Sequence, residues 1–152
     1  MEELSERQER DRTSLGIFRP KAIKDLIITP DDPEWPAKFT EALKQSKLFE
    51  TRNRTLEPPR KVPFKFHYEF ECDDPRCTGH HMMIEDWEVG ALYWNLVDNY
   101  GNSPIQAANG VKQKFLHEMC APIKDTHFYV GTILAHPKSW VIIGVFWPKR
   151  AK

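Results

Sequence analysis

The chain is predicted to be a single α+β domain, a mainly antiparallel sheet of about four strands with its helices on one face, and three observations lead there. Apolar residues alternate or cluster at strand spacing in four places, around residues 23–29, 64–72, 126–136 and 140–147. Three other stretches, 34–47, 83–100 and 103–119, space them at helical intervals. A chain of 152 residues, 40% hydrophobic and 12% aromatic, is the right size to bury one core. Strands and helices are mixed along the chain rather than strictly alternating, which predicts an α+β arrangement, although the two helices between the second and third strands permit one parallel pairing.

The elements follow in order. Residues 1–14 are charge-dense with Leu4 as their one strongly apolar residue, so they read as a flexible charged arm or a frayed helix, and the domain as residues 15–152. Ile17 and Phe18 lead into the β-branched strand Ile23 to Thr29, closed by the turn Pro30-Asp31-Asp32-Pro33. Trp35, Phe39, Leu43 and Leu48 then mark a short amphipathic helix with Pro36 in its first turn. Residues 50–63, with Arg52, Arg54, Arg60, Lys61 and three prolines, read as a basic extended linker.

Phe64 to Cys72 alternates strictly and puts four rings and Cys72 on one face. The stretch 83–100 reads as a helix with Glu85, Asp86 and Glu88 near its start and Gly101 at its stop. Its apolar residues, Trp87 and Trp94 among them, wrap so much of its circumference that it belongs at the centre or at an interface, which makes it the candidate surface for self-association. Ser103-Pro104 forms an N-cap and N1 pair for the next helix, which Asn109-Gly110 should weaken in its middle. The last two strands are joined by a hairpin-like turn at His136-Pro-Lys-Ser139.

Charge excludes some functions. Lys plus Arg and Asp plus Glu both total 22, so no global field draws the protein to a polyanion or an anionic membrane. No apolar run reaches the ~18 residues that span a bilayer, and Met-Glu-Glu-Leu-Ser-Glu-Arg lacks a signal peptide's apolar centre; a cytoplasmic protein is expected. Of three cysteines, two lie close together, which in a reducing compartment points to metal binding or redox chemistry rather than a structural disulfide.

That pair lies in Cys72-Asp-Asp-Pro-Arg-Cys77-Thr-Gly-His80-His81, where Pro75 and Gly79 let the chain fold back. A structural zinc ion takes four tetrahedral ligands from thiolate and imidazole, and Cys77-Thr-Gly-His80 has the spacer of a zinc knuckle. Cys72, Cys77 and His80 are therefore the candidate zinc ligands, with the fourth open among His81, Cys120 and the distant His136. The competing readings are a metal-free ordered turn, with Cys72 buried as a small hydrophobe and the histidines leading into the next helix, and a reactive thiol.

Asp73, Asp74, Glu85, Asp86 and Glu88 lie near the same turn. Carboxylates of this density hold divalent cations in nucleases, so a metal-dependent hydrolase using Asp86, Glu88 and His80 or His81 is the alternative function. Acidic residues in a helix's first turn are also ordinary dipole complements. Arg52, Arg54, Arg60, Lys61 and Lys65, interleaved with Phe64, Phe66 and Tyr68, have the residue types of a single-strand nucleic-acid surface, yet the alternation sends Lys65 to the face opposite the rings. The favoured expectation is a small metal-stapled binding or adaptor module that contacts nucleic acid or a protein partner.

The segments Leu15-Gly-Ile-Phe-Arg-Pro-Lys21, the Cys72 to His80 turn with Ile84-Glu-Asp-Trp-Glu88, Lys124-Asp-Thr-His-Phe-Tyr-Val-Gly131 and Ile143-Gly-Val-Phe-Trp-Pro148 resemble a family of short uncharacterised bacterial and archaeal proteins. The resemblance runs over about residues 15 to 148 and implies one compact domain with a similar cysteine and histidine turn. It implies no activity and no catalytic residue.

Overall fold

Packing brings the strands into two small sheets rather than one. A computed structural model describes residues 1–47, 59–133 and 136–151, with side chains left undescribed at 43–47. The fold is α+β. Its strands are β1 (Leu15–Phe18), β2 (Ala22–Pro30), β3 (Phe64–Glu71), β4 (His80–Met83), β5 (His127–Ile133) and β6 (His136–Phe146), and its helices are α1 (Glu2–Asp11), α2 (Ala37–Lys47), α3 (Trp87–Asp98) and α4 (Pro104–Lys112), the last continued by a π-helical turn, Gln113–Glu118.

Both sheets are antiparallel and three-stranded, with orders β2-β3-β4 and β1-β5-β6. The expected single sheet of about four strands is thus divided, because two short strands that carry no long apolar run, β1 and β4, each complete a sheet. The sheets meet where the chain leaves β4: Ile84 bridges Ile142 of β6 in parallel, and the Glu85 N–H donates to the Ile142 carbonyl at 2.7 Å.

Strict alternation in β3 buries Phe66, Tyr68 and Phe70 and turns Lys65, His67, Glu69 and Glu71 outward. Phe128 of β5 stacks on Tyr68 at 4.8 Å and meets Phe70 edge-on at 5.4 Å, so inner faces of both sheets share one core. Val89 and Tyr93 of α3, with Ala107, Ala108 and Val111 of α4, close it. Gly110 sits in that contact: a Cβ there would lie 2.5 Å from Leu96 Cδ1, so the glycine expected to weaken α4 is what lets α3 pack against it.

Helix α3 starts later than the pattern suggests, because Met82 and Met83 still belong to β4 and the side chain of Asp86 caps the helix by accepting the Glu88 N–H at 3.0 Å. Ser103 and Gln106 form a reciprocal capping box on α4 with Pro104 at its start, as Ser-Pro implies. Of the charged N-terminal residues, Glu2 to Asp11 are helical, and Leu4 of α1 lies against Gly16 of β1.

Candidate metal centre

Three of the expected ligands converge, and a carboxylate from the other end of the chain joins them. The turn after β3 is shaped by Cys77 N–H donating to the Asp74 carbonyl at 2.9 Å, and by Gly79 at φ +98, a backbone conformation that disfavours a side chain. The N–H groups of Cys72 and Gly79 both donate to Cys77 Sγ at 3.4 Å. These two donors draw the Cys77 thiol below its usual pKa, whereas burial pushes Cys72 up. Burial also lowers His80, which keeps its imidazole neutral and able to coordinate.

His80 Nε2 lies 3.2 Å from Cys72 Sγ and 3.3 Å from Cys77 Sγ. Glu2, in the first turn of α1, brings Oε2 to 3.2 Å from Cys72 Sγ and Oε1 to 3.7 Å from His80 Nε2. Burial pushes its carboxyl up, but the backbone, the Cys72 thiol and the Met1 ammonium group outweigh this and hold it below the usual carboxylate range. One ligand atom each from Glu2, Cys72, Cys77 and His80 lies within 4.8 Å of the other three, so the cluster could hold a metal ion. A tetrahedral zinc with bonds of about 2.0–2.3 Å would hold its ligand atoms roughly 3.3–3.8 Å apart, close to the two distances from His80 Nε2 to the thiols.

His81 takes no part. Because β4 pairs with β3, with His80 opposite Phe70 and His81 opposite Glu69, its alternation sends the adjacent imidazoles to opposite faces. His80 packs on Phe70 with ring centroids 5.0 Å apart, and His81 stacks on His67 at 4.4 Å on the outer face. Cys120 lies elsewhere too, its Sγ 3.2 Å from the Phe115 carbonyl and 3.7 Å from the Tyr68 hydroxyl. His136 is exposed at the start of β6.

The carboxylates do not gather. Asp86 is buried as the α3 cap, Glu88 is exposed, and Asp74 is held by Arg76, whose guanidinium reaches both its oxygens at 3.0 and 2.9 Å and also Glu6 of α1 at 2.8 Å. That last contact is a second tie between α1 and the turn.

Of the basic residues, Arg52 and Arg54 lie outside the described residues. Arg60 stacks on the Trp94 ring at 3.5 Å and pairs with Asp98 at 2.5 Å. Lys61 and Lys65 share Asp31 at 3.1 and 3.3 Å, and Lys61 also donates to the Asp32 and Glu34 carbonyls. Sequence reasoning missed Glu2, and nothing local could have found it: 70 residues separate it from Cys72.

Comparison with curated proteins and with solved structures finds no match. Among the described residues no helix is long and apolar enough to cross a membrane. A family model described as a domain of unknown function matches residues 1–152, and the chain, cysteine and histidine turn included, belongs to that family, DUF8757.

Proposed function

We propose that this protein is a zinc-stapled binding module, in which Cys72, Cys77, His80 and Glu2 hold one zinc ion that ties α1 to the β3–β4 hairpin and so fixes the surface presented to a partner. The observation that carries this reading is the convergence of four protein ligand atoms within 4.8 Å of one another, with His80 Nε2 at 3.2 and 3.3 Å from the two thiols, near the edge of a tetrahedral zinc site. Two thiolates, an imidazole and a carboxylate form a donor set softer than magnesium or calcium prefers. Four protein ligands leave no position for water, which supports a structural staple over hydrolysis, as does the placing of Asp86 and Glu88 away from the cluster. The ion pairs on Arg60, Lys61 and Lys65 favour a protein partner over a phosphate backbone, since Asp98 and Asp31 already offset two of the three positive charges.

The test is metal content and spectrum of the untagged full chain. About one zinc per chain is expected after dialysis against trace zinc, and cobalt substitution should give the intense absorption of a thiolate-to-cobalt charge transfer. Cys77→Ser should abolish that band and Glu2→Gln should weaken cobalt binding about 10- to 100-fold, while Cys120→Ser should change neither. A wild-type chain that takes up no zinc or cobalt, or one whose band survives Cys77→Ser, overturns the reading.

A further inference from the structure

The outer face of the β1-β5-β6 sheet is built to be covered. Leu15 (67% exposed), Ile17, Tyr129, Ile133, Ile143 and Phe146 all point outward from it into solvent. Register explains the grouping: Leu15 lies opposite Gly131, Ile17 opposite Tyr129 and His127 opposite Phe146, while Phe128 and Val130 between them point into the core. A Cβ placed on Gly131 would lie 3.5 Å from both Leu15 and Ile143, so those side chains close over the glycine into a continuous apolar surface.

Three properties of this face say what covers it. The strands β1 and β5 and the Val141–Phe146 part of β6 contain no Asp, Glu, Lys or Arg; Lys138, nearer the start of β6, is paired with Glu9 of α1 at 3.0 Å. An antiparallel sheet with one wet face alternates apolar with polar residues, whereas an unbroken apolar run belongs to a strand covered on both sides. Among the described residues the fold covers the inner side, and on the outer side Val141, opposite Gly131, is buried while the six named side chains are not. Second, the six side chains expose on the order of 500 Å² in total, so pairing two such faces removes about 1,000 Å² from water, near the lower bound for a specific interface. Third, the six side chains carry no charge and need no countercharge, and so the patch is complementary to itself across a two-fold axis.

We infer that the protein self-associates by stacking this sheet face on that of a second copy, as two sheets stack in a β-sandwich. The inference does not rest on zinc, because the cluster lies on the other sheet. It also places self-association on β1, β5 and β6 rather than on α3, where the sequence pattern located it.

Sedimentation velocity on the untagged full chain from about 1 to 200 μM tests it. Wild type should pass reversibly from one to two chain masses with a micromolar midpoint, as befits an interface at this lower bound. Ile143→Lys and Tyr129→Lys should each raise the dissociation constant at least about 10-fold, with the far-ultraviolet circular dichroism unchanged because both side chains are solvent-exposed. Trp87→Ala on α3, and chelation of metal, should leave the midpoint unmoved. A wild type that stays monomeric at about 200 μM, or a dimer that survives both folded lysine variants, overturns the proposal and leaves the face to a different protein or to lipid.

Discussion

The two sheets have the same strand number and the same antiparallel pairing, and they share a core, yet their outer faces differ in polarity. The outer face of the β2-β3-β4 sheet carries Lys65, His67, Glu69 and His81, with half-buried Ile27 and Met83 among them. The β1-β5-β6 sheet shows Leu15, Ile17, Tyr129, Ile143 and Phe146. Since both inner faces are buried in the one core, the difference does not concern folding the monomer; it lies in what each outer face meets. The first sheet is finished by water on its outer face and by the cysteine and histidine cluster at the β3–β4 turn. The second leaves its outer apolar side chains exposed, which is the basis of the self-association proposed above.

The comparison assumes that the sheets fold as one unit, and Phe128 is where to break it. Its ring is fully buried and touches Tyr68, Phe70 and Phe18. Phe128→Ala should cost about 3–5 kcal/mol, the range for removing a buried aromatic ring. Urea unfolding should remain a single transition, with hydrogen-exchange protection falling in β3 as much as in β5. Loss confined to β1, β5 and β6 would mean that the sheets are separate units.

A smaller effect is expected where the chain crosses between the sheets. Asp86 follows the Ile84 bridge to β6 and caps α3. Asp86→Ala should cost about 1 kcal/mol in urea unfolding, and Asp86→Asn only a few tenths, because asparagine caps nearly as well. Zinc content should be the same in both variants. A catalytic carboxylate would give a different pattern: stability little changed and metal-dependent turnover lost.

Much of this was legible in the sequence wherever the signal was local. The Phe64 to Cys72 alternation, the Ser-Pro start of α4, and Cys72, Cys77 and His80 as companions are all written in spacings of a few residues. What escaped was set at long range. β1 and β4, at four residues each, are too short to carry a period and exist because β5 and β3 offer them partners. Glu2 joins the cluster through the docking of α1, and the turn's own residues could not say so. His81 was a reasonable fourth ligand until β4 proved to be a strand, whose alternation separates neighbouring imidazoles.

The sheets differ inside as well, and pH should read that difference. Behind β5 and β6 the core is carbon: Phe128, Val130 and Ile142. Behind β3 it includes polar atoms, with the Tyr68 hydroxyl donating to the Phe115 carbonyl at 2.6 Å and the Cys120 thiol sharing that carbonyl at 3.2 Å. Burial pushes the Cys120 thiol up to about 11. An unfolded cysteine ionises at about 8.5, so above that pH the unfolded chain sheds a proton that the folded chain retains. The stability Cys120 contributes is therefore complete below about pH 8.5 and declines as pH rises towards 11. By pH 10 the loss should reach on the order of 1–2 kcal/mol. Tyr68, also raised by burial, adds its own loss only above about pH 10, the range where tyrosine ordinarily ionises. Cys120→Ala will lower stability at every pH by the packing it removes, so the informative quantity is slope. Between pH 8.5 and 10 the unfolding free energy of Cys120→Ala should fall less steeply than that of wild type by about this amount; parallel slopes would place the thiol in contact with water and remove the chemical distinction between the two halves of the core.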